Sequence, residues 1–304
     1  MSHPIINIPL PPDFSFTECL WYLHRDFDDC LHEVNNHAIR KAIVLQDEKI
    51  LIDITADPEN LIITLLSGHY DAIMERLIID YVEDWFDLKR DLNPFYALLN
   101  RDKKIGFMAH QFAGLRLIGI PDLFEAICWA IIGQQINLTF AYKTKRKLVE
   151  RYGDFITYED KKYYLFPNPK ILEKGNPDEL RAMQFSTQKT QYLLEVSSRF
   201  SSGELSKEII QKISDFDGRQ KFLTQVRGIG IWTANYALLK SLKDQSSVPY
   251  GDAGLLNALI LHQIITDKKD KEGIDQFIGK YKNWESYLVF YLWRSLAIPK
   301  NPAI

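Results

Sequence analysis

The fold of this chain is decided by the stretch FLTQVRGIGIWTANYALLKSLKDQSSVPYGD, residues 222–252. Apolar periodicity predicts an amphipathic helix that starts near Asp215 or Asp217 and ends inside this stretch, followed by a second helix from Trp232 to Leu242. Only residues 227–230, Arg-Gly-Ile-Gly, connect the two helices. Because so short a connection must reverse sharply, and because glycine allows positive φ and close backbone approach, the sequence predicts a tight helix-hairpin-helix turn.

This turn has the properties of a phosphate-binding site. The amides of Gly228, Gly230 and the following helical turn lack intrahelical partners and lie at the positive end of the helix dipole. Thr233 can add a hydroxyl donor. The alternative interpretation is a glycine pair that only lets two helices pack closely. A dinucleotide-binding loop is disfavoured, because Thr233 replaces the third glycine and no strand precedes the turn.

Length and composition are those of an ordinary globular chain. The 304 residues are 46% hydrophobic and 25% charged, which allows two or three domains with a sizeable core. Three unclustered cysteines, Cys19, Cys30 and Cys128, and seven scattered histidines predict neither a disulfide framework nor a zinc site. The sequence has no signal-peptide pattern and no apolar run of membrane-spanning length, so we expect a soluble, cytoplasmic protein.

The net charge of −3 hides an asymmetry between two parts of the chain. Residues 1–121 carry 11 Lys and Arg against 19 Asp and Glu, a balance of −8, whereas residues 122–304 carry 26 against 21, a balance of +5. A negative total disfavours a nucleic-acid partner, but the positive part is the one that contains the hairpin. The distribution is therefore compatible with binding of a phosphate backbone by that part.

The N-terminal residues predict a small antiparallel α/β domain. Residues 3–10 resemble an edge strand that ends in prolines, and a helix is predicted from about Ser15 to Arg25. Short apolar or alternating runs predict further strands at Ile43–Leu45, Ile50–Ile54 and Leu61–Leu65. Helical periodicity begins near Tyr70. We place the boundary at residue 88, with an N-terminal domain over 1–88 and a helical core over 89–304.

The helical core begins with two clear helices. Asp122 is predicted to cap the first, a break follows at Gly133-Gln134-Gln135, and the second starts near Asn137 or Leu138. The second helix is predicted to expose a basic face, which alone indicates a solvated surface and beside the hairpin indicates contact with a nucleic-acid backbone. That face consists of Lys143, Lys145, Arg146, Lys147 and Arg151.

Later regions differ in regularity. Residues 153–176, with Pro167 and Pro169, predict irregular structure. Ser186 to Lys189 predict the start of a helix that reaches about Phe200. Three helices are predicted after Asp252, the last of them ending near Ala297.

Further motifs, in a fixed order, resemble those of one family. They are FSFTECLWYLHR at 14–25, WFDLKRDLNP at 85–94, GLRLIGIPDLFEAICWAIIGQQI at 114–136, VRGIGIWTANYALL at 226–239 followed by Gly251-Asp252, and WESYLVFYLWRSL at 284–296. Together they cover nearly the whole chain. The chain resembles the helix-hairpin-helix DNA glycosylase superfamily, and in particular its DNA-3-methyladenine glycosylase II, or alkylbase glycosylase, branch.

This resemblance implies an α+β protein in which a small N-terminal α/β domain precedes a two-lobed, mostly helical core. One lobe would span 122–245 and contain the hairpin, and the other would combine 89–121 with 246–304. The resemblance implies a monomeric enzyme of base excision repair that binds double-stranded DNA, flips out alkylated purines of the 3-methyladenine and 7-methylguanine type, and hydrolyses their glycosidic bond. It implies no organic cofactor.

The resemblance also assigns catalytic and pocket residues. Asp252, which its neighbours alone predict to be an N-cap, matches the carboxylate that stabilises an oxocarbenium-like sugar or orients the attacking water. Trp232, Tyr236 and Trp293, which in an unrelated helical protein would be core residues, match the rings that stack on the flipped base. Bifunctional members carry a lysine where this chain has Trp232, so the resemblance predicts a monofunctional glycosylase.

Contacts with the DNA are assigned in the same way. The positions matched to backbone contacts are Arg227, Gly228, Ile229, Gly230, Thr233 and Lys189. The wedge that fills the gap left by the flipped base matches Gln135 or Ile136. The family positions whose carbonyls bind a sodium or potassium ion match Thr224, Val226 and Ile229. One of Leu20, Trp21 and Tyr22 is a candidate for a further pocket wall. Gly251 departs from the family's Asp-Asp pair, of which Asp252 is the second member.

Three alternatives stay open. A non-catalytic protein that binds damaged DNA would keep the hairpin but would need neither Asp252 nor the aromatic set. An oxidised-purine glycosylase with lyase activity would need an amine at the position of Trp232. A scaffold for protein partners would show no salt-dependent affinity for DNA.

Overall fold

The structure, a computed structural model, describes residues 3–24, 27–35 and 37–297. Its first part contains an antiparallel five-stranded sheet with the strand order β1-β5-β4-β3-β2. The strands are β1 (Ile5–Pro9), β2 (Glu33–Asn35), β3 (Ala38–Leu45), β4 (Glu48–Ala56) and β5 (Asn60–Ser67). Along β5, burial alternates so that Leu61, Ile63 and Leu65 lie in the core, as expected for a strand with one covered face.

Two helices accompany this sheet, α1 (Phe16–Leu23) and α2 (Ala72–Phe86). Helix α2 buries Ile78 and Val82, one turn apart, in the same core as the sheet. The predicted antiparallel α/β unit is therefore confirmed. Arg25, the predicted end of the first helix, lies outside the described residues.

The rest of the described chain is mainly helical. Its helices are α3 (Asn93–Leu99), α4 (Met108–Gln111), α5 (Leu123–Gly133), α6 (Leu138–Tyr152), α7 (Pro169–Leu172), α8 (Pro177–Ala182), α9 (Thr187–Ser201), α10 (Lys207–Gln211), α11 (Phe216–Thr224), α12 (Ile231–Ala237), α13 (Ala253–Leu261), α14 (Lys271–Ile278) and α15 (Glu285–Ser295). A π-helical turn, Leu238–Leu242, continues α12, and a 3-10 turn, Gly279–Tyr281, follows α14. Asp122 accepts a hydrogen bond from an amide in the first turn of α5, so the predicted cap is confirmed. Asn137 and Asp215, each one of two residues near which a helix start was predicted, cap α6 and α11 in the same way.

One region contradicts the prediction of irregular structure over 153–176. There, β6 (Asp154–Tyr158) and β7 (Lys161–Leu165) form an antiparallel hairpin. Tyr163 of this hairpin packs with Leu51, whose side chain points away from the sheet face that α2 covers. The prediction was wrong because the hairpin is stabilised by a distant sheet, and that contact leaves no signal in the local sequence.

Two hydrophobic cores position the candidate site. The first contains residues of the sheet, α2, α3, α13 and α15, and the second contains residues of α5, α6, α9 and α12. Trp293 on α15 is partly buried and packs against both cores. The first core continues across residue 88, so the division into 1–88 and 89–304 stays a prediction. Among the described residues, no helix has the length and apolar character needed to cross a membrane.

Candidate active site

The connection between α11 and α12 forms the tight turn that the sequence predicts. Gly228 has φ +97, and a Cβ atom there would lie 2.4 Å from Cγ of Tyr192, so glycine is required. Gly230 has φ −80 and ψ 174, so the prediction that both glycines supply positive φ was wrong for Gly230. No atom lies within 4 Å of a Cβ built on Gly230. The backbone of Gly230 therefore borders open space.

This turn presents unpaired amides. In the part of the chain that the structure describes, the amides of Gly228, Gly230 and Ile231 donate to no protein acceptor. The Ile231 side chain is 60% exposed. Thr233 differs from expectation, because it is buried and its Oγ1 accepts a 2.9 Å hydrogen bond from Nε2 of Gln134. Its hydroxyl therefore stabilises the turn from inside and does not face solvent.

Two basic side chains approach the turn. Nζ of Lys189, on α9, donates to the carbonyl oxygen of Ile132 at 2.7 Å, and partial burial lowers the pKa of its ammonium group. Arg227 is exposed, and its Nη2 donates to Oε1 of Gln191 at 3.3 Å. Arg227 is thus accessible to a ligand, whereas Lys189 contacts the last turn of α5.

The break after α5 carries the two wedge candidates. Gln135 is exposed with a left-handed φ of 56, whereas Ile136 is half-buried and packs against the second core. The neighbouring Gln134 joins this break to the hairpin, since its Nε2 bonds to Thr233 and lies 3.5 Å from the carbonyl oxygen of Gly228. The structure therefore brings the break and the hairpin together and exposes Gln135 beside them.

The three aromatic residues of the predicted pocket lie together. The rings of Trp232 and Tyr236 stack with centroids 5.5 Å apart and an interplanar angle of 25°. The ring of Trp293 follows, 6.2 Å from that of Tyr236. Trp129, which the sequence analysis did not single out, donates from Nε1 to the Tyr236 hydroxyl at 3.0 Å. These contacts fix the position of Tyr236 within a contiguous aromatic wall.

Asp252 lies at the edge of this wall, at the start of α13. Its Oδ1 accepts two hydrogen bonds, from the amide of Leu255 at 2.8 Å and from Nε1 of Trp293 at 2.9 Å. Its Oδ2 accepts no hydrogen bond from the described residues, and the side chain is half-buried. Gly251 has φ +84, which accounts for a glycine before Asp252. The predicted N-cap is confirmed, and the carboxylate is tied to the aromatic wall through its bond to Trp293.

Of the three N-terminal wall candidates, Tyr22 is connected to this aromatic set. Its ring lies 5.0 Å from that of Phe290, which lies 6.3 Å from that of Trp293. Trp21 instead packs under the guanidinium of Arg294, whose carbon lies 4.7 Å from the ring centroid. Tyr22 is therefore the candidate that the structure favours for a further pocket wall.

A cavity of about 60 Å³, with both charged and apolar side chains in its lining, lies between the N-terminal unit and the second core. Trp129 and Tyr22 line it, so it adjoins the aromatic set. Its charged lining residues include Asp29, Lys41, Glu125 and Lys145. A cavity of this size and polarity accommodates a few water molecules. This cavity could not be predicted from the sequence, because its walls come from segments far apart in the chain.

Lys145 shows where the predicted basic face of α6 was wrong. Its Nζ is buried, 3.2 Å from Oδ1 of Asp29 and 3.6 Å from Oε1 of Glu125. Burial alone would lower the pKa of Lys145, but the two carboxylates outweigh it and raise that pKa. Burial alone would raise the pKa of Asp29, but the charge of Lys145 helps to lower it. Arg146 is half-buried and pairs with Asp28. The exposed members of the predicted face are Lys143, Lys147 and Arg151.

Among the described residues, no group of three or more His, Cys, Asp or Glu side chains is arranged to hold a metal ion. The carbonyls of Thr224 and Ile229 accept no hydrogen bond from the described residues, and that of Val226 accepts the amide of Ile229 at 3.0 Å. Oxygen donors of this kind are compatible with a hard cation.

Family models match nearly the whole chain. Residues 128–283 match the HhH-GPD superfamily base excision DNA repair protein, and residues 25–127 match the N-terminal domain of 8-oxoguanine DNA glycosylase. The chain is 37% identical over 295 residues to the DNA-3-methyladenine glycosylase of Bacillus subtilis (strain 168), covering 96% of this chain and 97% of that protein. It is 27% identical over 189 residues to DNA-3-methyladenine glycosylase 2 of Escherichia coli (strain K12), covering 62% of this chain and 63% of the relative.

Solved structures share the architecture. The 3-methyladenine DNA-glycosylase from Archaeoglobus fulgidus superposes with a TM-score of 0.81 at 22% identity, covering 95% of this chain and 97% of that one. The Clostridium acetobutylicum 8-oxoguanine glycosylase/lyase, in complex with double-stranded DNA, superposes with a TM-score of 0.75 at 18% identity, covering 97% and 98%. At these identities the two similarities establish the fold alone.

Proposed function

This chain belongs to the HhH-GPD superfamily of base excision DNA repair proteins and, within it, to the DNA-3-methyladenine glycosylases, and we propose that its substrates are alkylated purines in double-stranded DNA. It is a DNA N-glycosylase, which hydrolyses the bond between a base and its deoxyribose. The proposed reaction extrudes the damaged nucleotide from the duplex and leaves an abasic site. The names of the relatives specify 3-methyladenine. We include 7-methylguanine because its nucleotide, like that of 3-methyladenine, carries a positive charge on the base.

A single observation carries this proposal: Asp252 is hydrogen-bonded through Oδ1 to Trp293 of the aromatic wall, while its Oδ2 accepts no hydrogen bond from the described residues. As the glycosidic bond breaks, the sugar acquires oxocarbenium character, which a nearby carboxylate stabilises electrostatically. The same oxygen can orient the attacking water. An alkylated purine already carries positive charge and leaves readily, so a strong general acid is not required. We therefore propose Asp252 as the catalytic carboxylate.

The aromatic wall suits a flat cationic ligand. Trp232 and Tyr236 are stacked, and Trp293 continues the wall toward Asp252. A cationic base gains about 0.5–2 kcal/mol from each favourable contact with such rings, with the larger values where water is excluded. We propose these three residues as the base pocket, with Tyr22 as a further wall.

We propose that the enzyme is monofunctional. Strand cleavage by β-elimination requires an amine that forms a Schiff base with the sugar, and Trp232 occupies the position at which lyase members carry lysine. This difference disfavours the oxidised-purine glycosylase as an alternative. It also predicts that the abasic product persists until another activity or alkali cleaves the strand.

DNA anchoring is proposed for the hairpin turn. The free amides of Gly228 and Gly230 suit a backbone phosphate, with Arg227 and the backbone of Ile229 beside them. Thr233 contributes through its backbone, since its hydroxyl is already bonded. Nζ of Lys189 already donates to the α5 carbonyl and keeps further N–H groups for a phosphate, so we assign it a supporting role.

The wedge and the cation complete the proposed DNA-binding surface. Gln135 is the better wedge candidate, because its side chain is exposed whereas that of Ile136 packs on the second core. A sodium or potassium ion would be held by the carbonyls of Thr224, Val226 and Ile229 and would stiffen the turn and attract a phosphate. We propose that the protein acts as a monomer.

The decisive experiment measures release of free bases from methylated duplex DNA by the wild type and by Asp252→Asn. Asparagine keeps both the N-cap and the acceptor for Trp293, so the variant is expected to fold while losing roughly 10²-fold or more in excision rate. Strand breaks should appear only after alkali. A wild-type excision rate in the variant would refute the assigned role. Tight, salt-sensitive DNA binding without base release would instead favour the damaged-DNA-binding alternative.

A further inference from the structure

We propose that Trp293 is a positioning residue for Asp252 in addition to being a wall of the base pocket. Its indole N–H holds Oδ1, so that Oδ2 alone is directed to the reacting sugar. This inference rests on the proposed catalytic role of Asp252 and deepens it. It distinguishes two functions within one side chain, stacking by the ring and orientation of the carboxylate by the ring nitrogen.

The two oxygens of an ionised carboxylate are chemically equivalent. The cap bond from the Leu255 amide can be satisfied by either oxygen of Asp252, so this bond alone does not select which oxygen faces the cleft. The bond from Nε1 of Trp293 converges on the same oxygen from a different helix. Two donors on Oδ1 fix the plane of the carboxylate. They leave the lone pairs of Oδ2 available to the developing positive charge of the sugar.

Gly254 allows this arrangement. A Cβ atom on Gly254 would lie 3.0 Å from Cδ1 and 3.1 Å from Nε1 of Trp293, and 3.1 Å from Oδ1 of Asp252. Gly254 has an ordinary helical backbone without positive φ, so its conformation does not require glycine. The space that a side chain would fill is the space in which the indole meets the carboxylate. The absent side chain is therefore explained by the hydrogen bond.

The chemistry of the ring supports a role beyond stacking. Phenylalanine or tyrosine would provide a comparable stacking surface, but of these three large aromatic side chains only tryptophan carries an N–H donor within its ring. Contacts on both sides hold this donor in place, since Trp293 packs against both cores and its ring lies 6.3 Å from that of Phe290. A rigid donor transmits its position to Asp252.

The test separates carboxylate positioning from base stacking by using DNA that contains no damaged base. Duplexes carry either a neutral tetrahydrofuran abasic analogue or a pyrrolidine analogue whose protonated nitrogen mimics the oxocarbenium charge. The readout is the charge preference, the ratio of the two dissociation constants. Stacking contributes equally to both duplexes, because neither offers a base, whereas a positioned carboxylate favours only the cationic one.

We expect Trp293→Phe to reduce the charge preference roughly tenfold while binding to the neutral duplex stays within about twofold, because small displacements of a charged group strongly weaken its interaction with the transition state. Asp252→Asn sets the lower limit of the preference. Trp232→Phe is the matched control, since it also removes a pocket indole but none that bonds to Asp252, and it should keep the wild-type ratio.

Gly254→Ala provides a second, independent variant. Alanine favours the helix, so the fold is retained, yet its methyl group crowds both bonded partners and should lower the charge preference as Trp293→Phe does. A wild-type ratio in both variants, with the preference abolished in Asp252→Asn, would overturn the inference and leave the proposed function intact. An unchanged ratio in Asp252→Asn itself would overturn the electrostatic role of Asp252 and the inference with it.

Discussion

The two glycines of the hairpin should differ strongly in how much stability is lost when each is replaced by alanine. In Gly228→Ala, the backbone would carry a side chain at φ +97, which costs about 1–3 kcal/mol. The new Cβ would also lie 2.4 Å from Cγ of Tyr192, so either the turn or α9 must shift. We expect a total loss of roughly 2–4 kcal/mol in unfolding free energy. In Gly230→Ala, φ is −80 and the Cβ meets no atom, so stability should change by less than about 0.5 kcal/mol.

Urea denaturation and DNA binding together test this reasoning. Gly230→Ala should keep the wild-type denaturation midpoint but bind undamaged duplex more weakly, irrespective of sequence, because its methyl group occupies the open space that a phosphate would approach. Gly228→Ala should be impaired in both measurements. Adding Tyr192→Ala to Gly228→Ala should restore only part of the lost stability, since the clash is removed and the backbone strain persists.

Two outcomes would refute the reasoning. Equal destabilisation by the two glycine variants would contradict the different backbone conformations of Gly228 and Gly230. Unchanged affinity of Gly230→Ala for duplex DNA would remove the hairpin from the proposed DNA-binding surface. A difference confined to damaged DNA would place the effect in the base pocket.

The remaining predictions concern buried polar contacts. Trp129→Phe removes the donor to the Tyr236 hydroxyl and should lower unfolding free energy by about 1–3 kcal/mol, slowing base excision without altering binding to the neutral abasic duplex. Lys145→Met removes the buried cation that forms ion pairs with both Asp29 and Glu125 and should cost about 3–5 kcal/mol at pH 7, measured by denaturation. Because Lys145 lowers the pKa of Asp29, the pair stabilises the fold above the ordinary aspartate pKa of about 3.9 and loses this effect as pH falls through the lower folded value. The penalty of Lys145→Met should therefore shrink in acid, and a penalty that grows in acid would contradict the assignment.

Features encoded locally could be predicted from the sequence. The cap at Asp122 depends on a side chain and an amide two residues apart, and it is confirmed. The predicted helix starts near Asn137 and Asp215 are confirmed as well, and both residues cap their helices. Trp232 and Tyr236 stand one helical turn apart, so their stacking follows from helix geometry. The link to Trp293, on another helix, could be anticipated only through the family resemblance.

Features that depend on contacts between distant residues could not be predicted from the sequence. The burial of Lys145 depends on Asp29, 116 residues earlier, so a basic run on a helix was mistaken for an exposed face. The bond from Trp129 to Tyr236 spans 107 residues and joins two helices of the second core. The β6-β7 hairpin is covered by a sheet from the first part of the chain. The periodicity of a segment cannot predict such contacts, because they depend on a residue or strand elsewhere in the chain.

The division of the site between two cores has a consequence for selectivity. Asp252 and its two donors come from α13 and α15, both anchored in the first core, whereas Trp232 and Tyr236 come from α12, which is anchored in the second. Small relative shifts of the cores would change the spacing of the rings and therefore the fit of a base. They would leave the carboxylate and its cap bond to Leu255 in register, because both belong to the start of α13 and so to the first core. Base selection and stabilisation of the sugar can thus vary independently, and Trp293, which packs against both cores, is the residue at which the two meet.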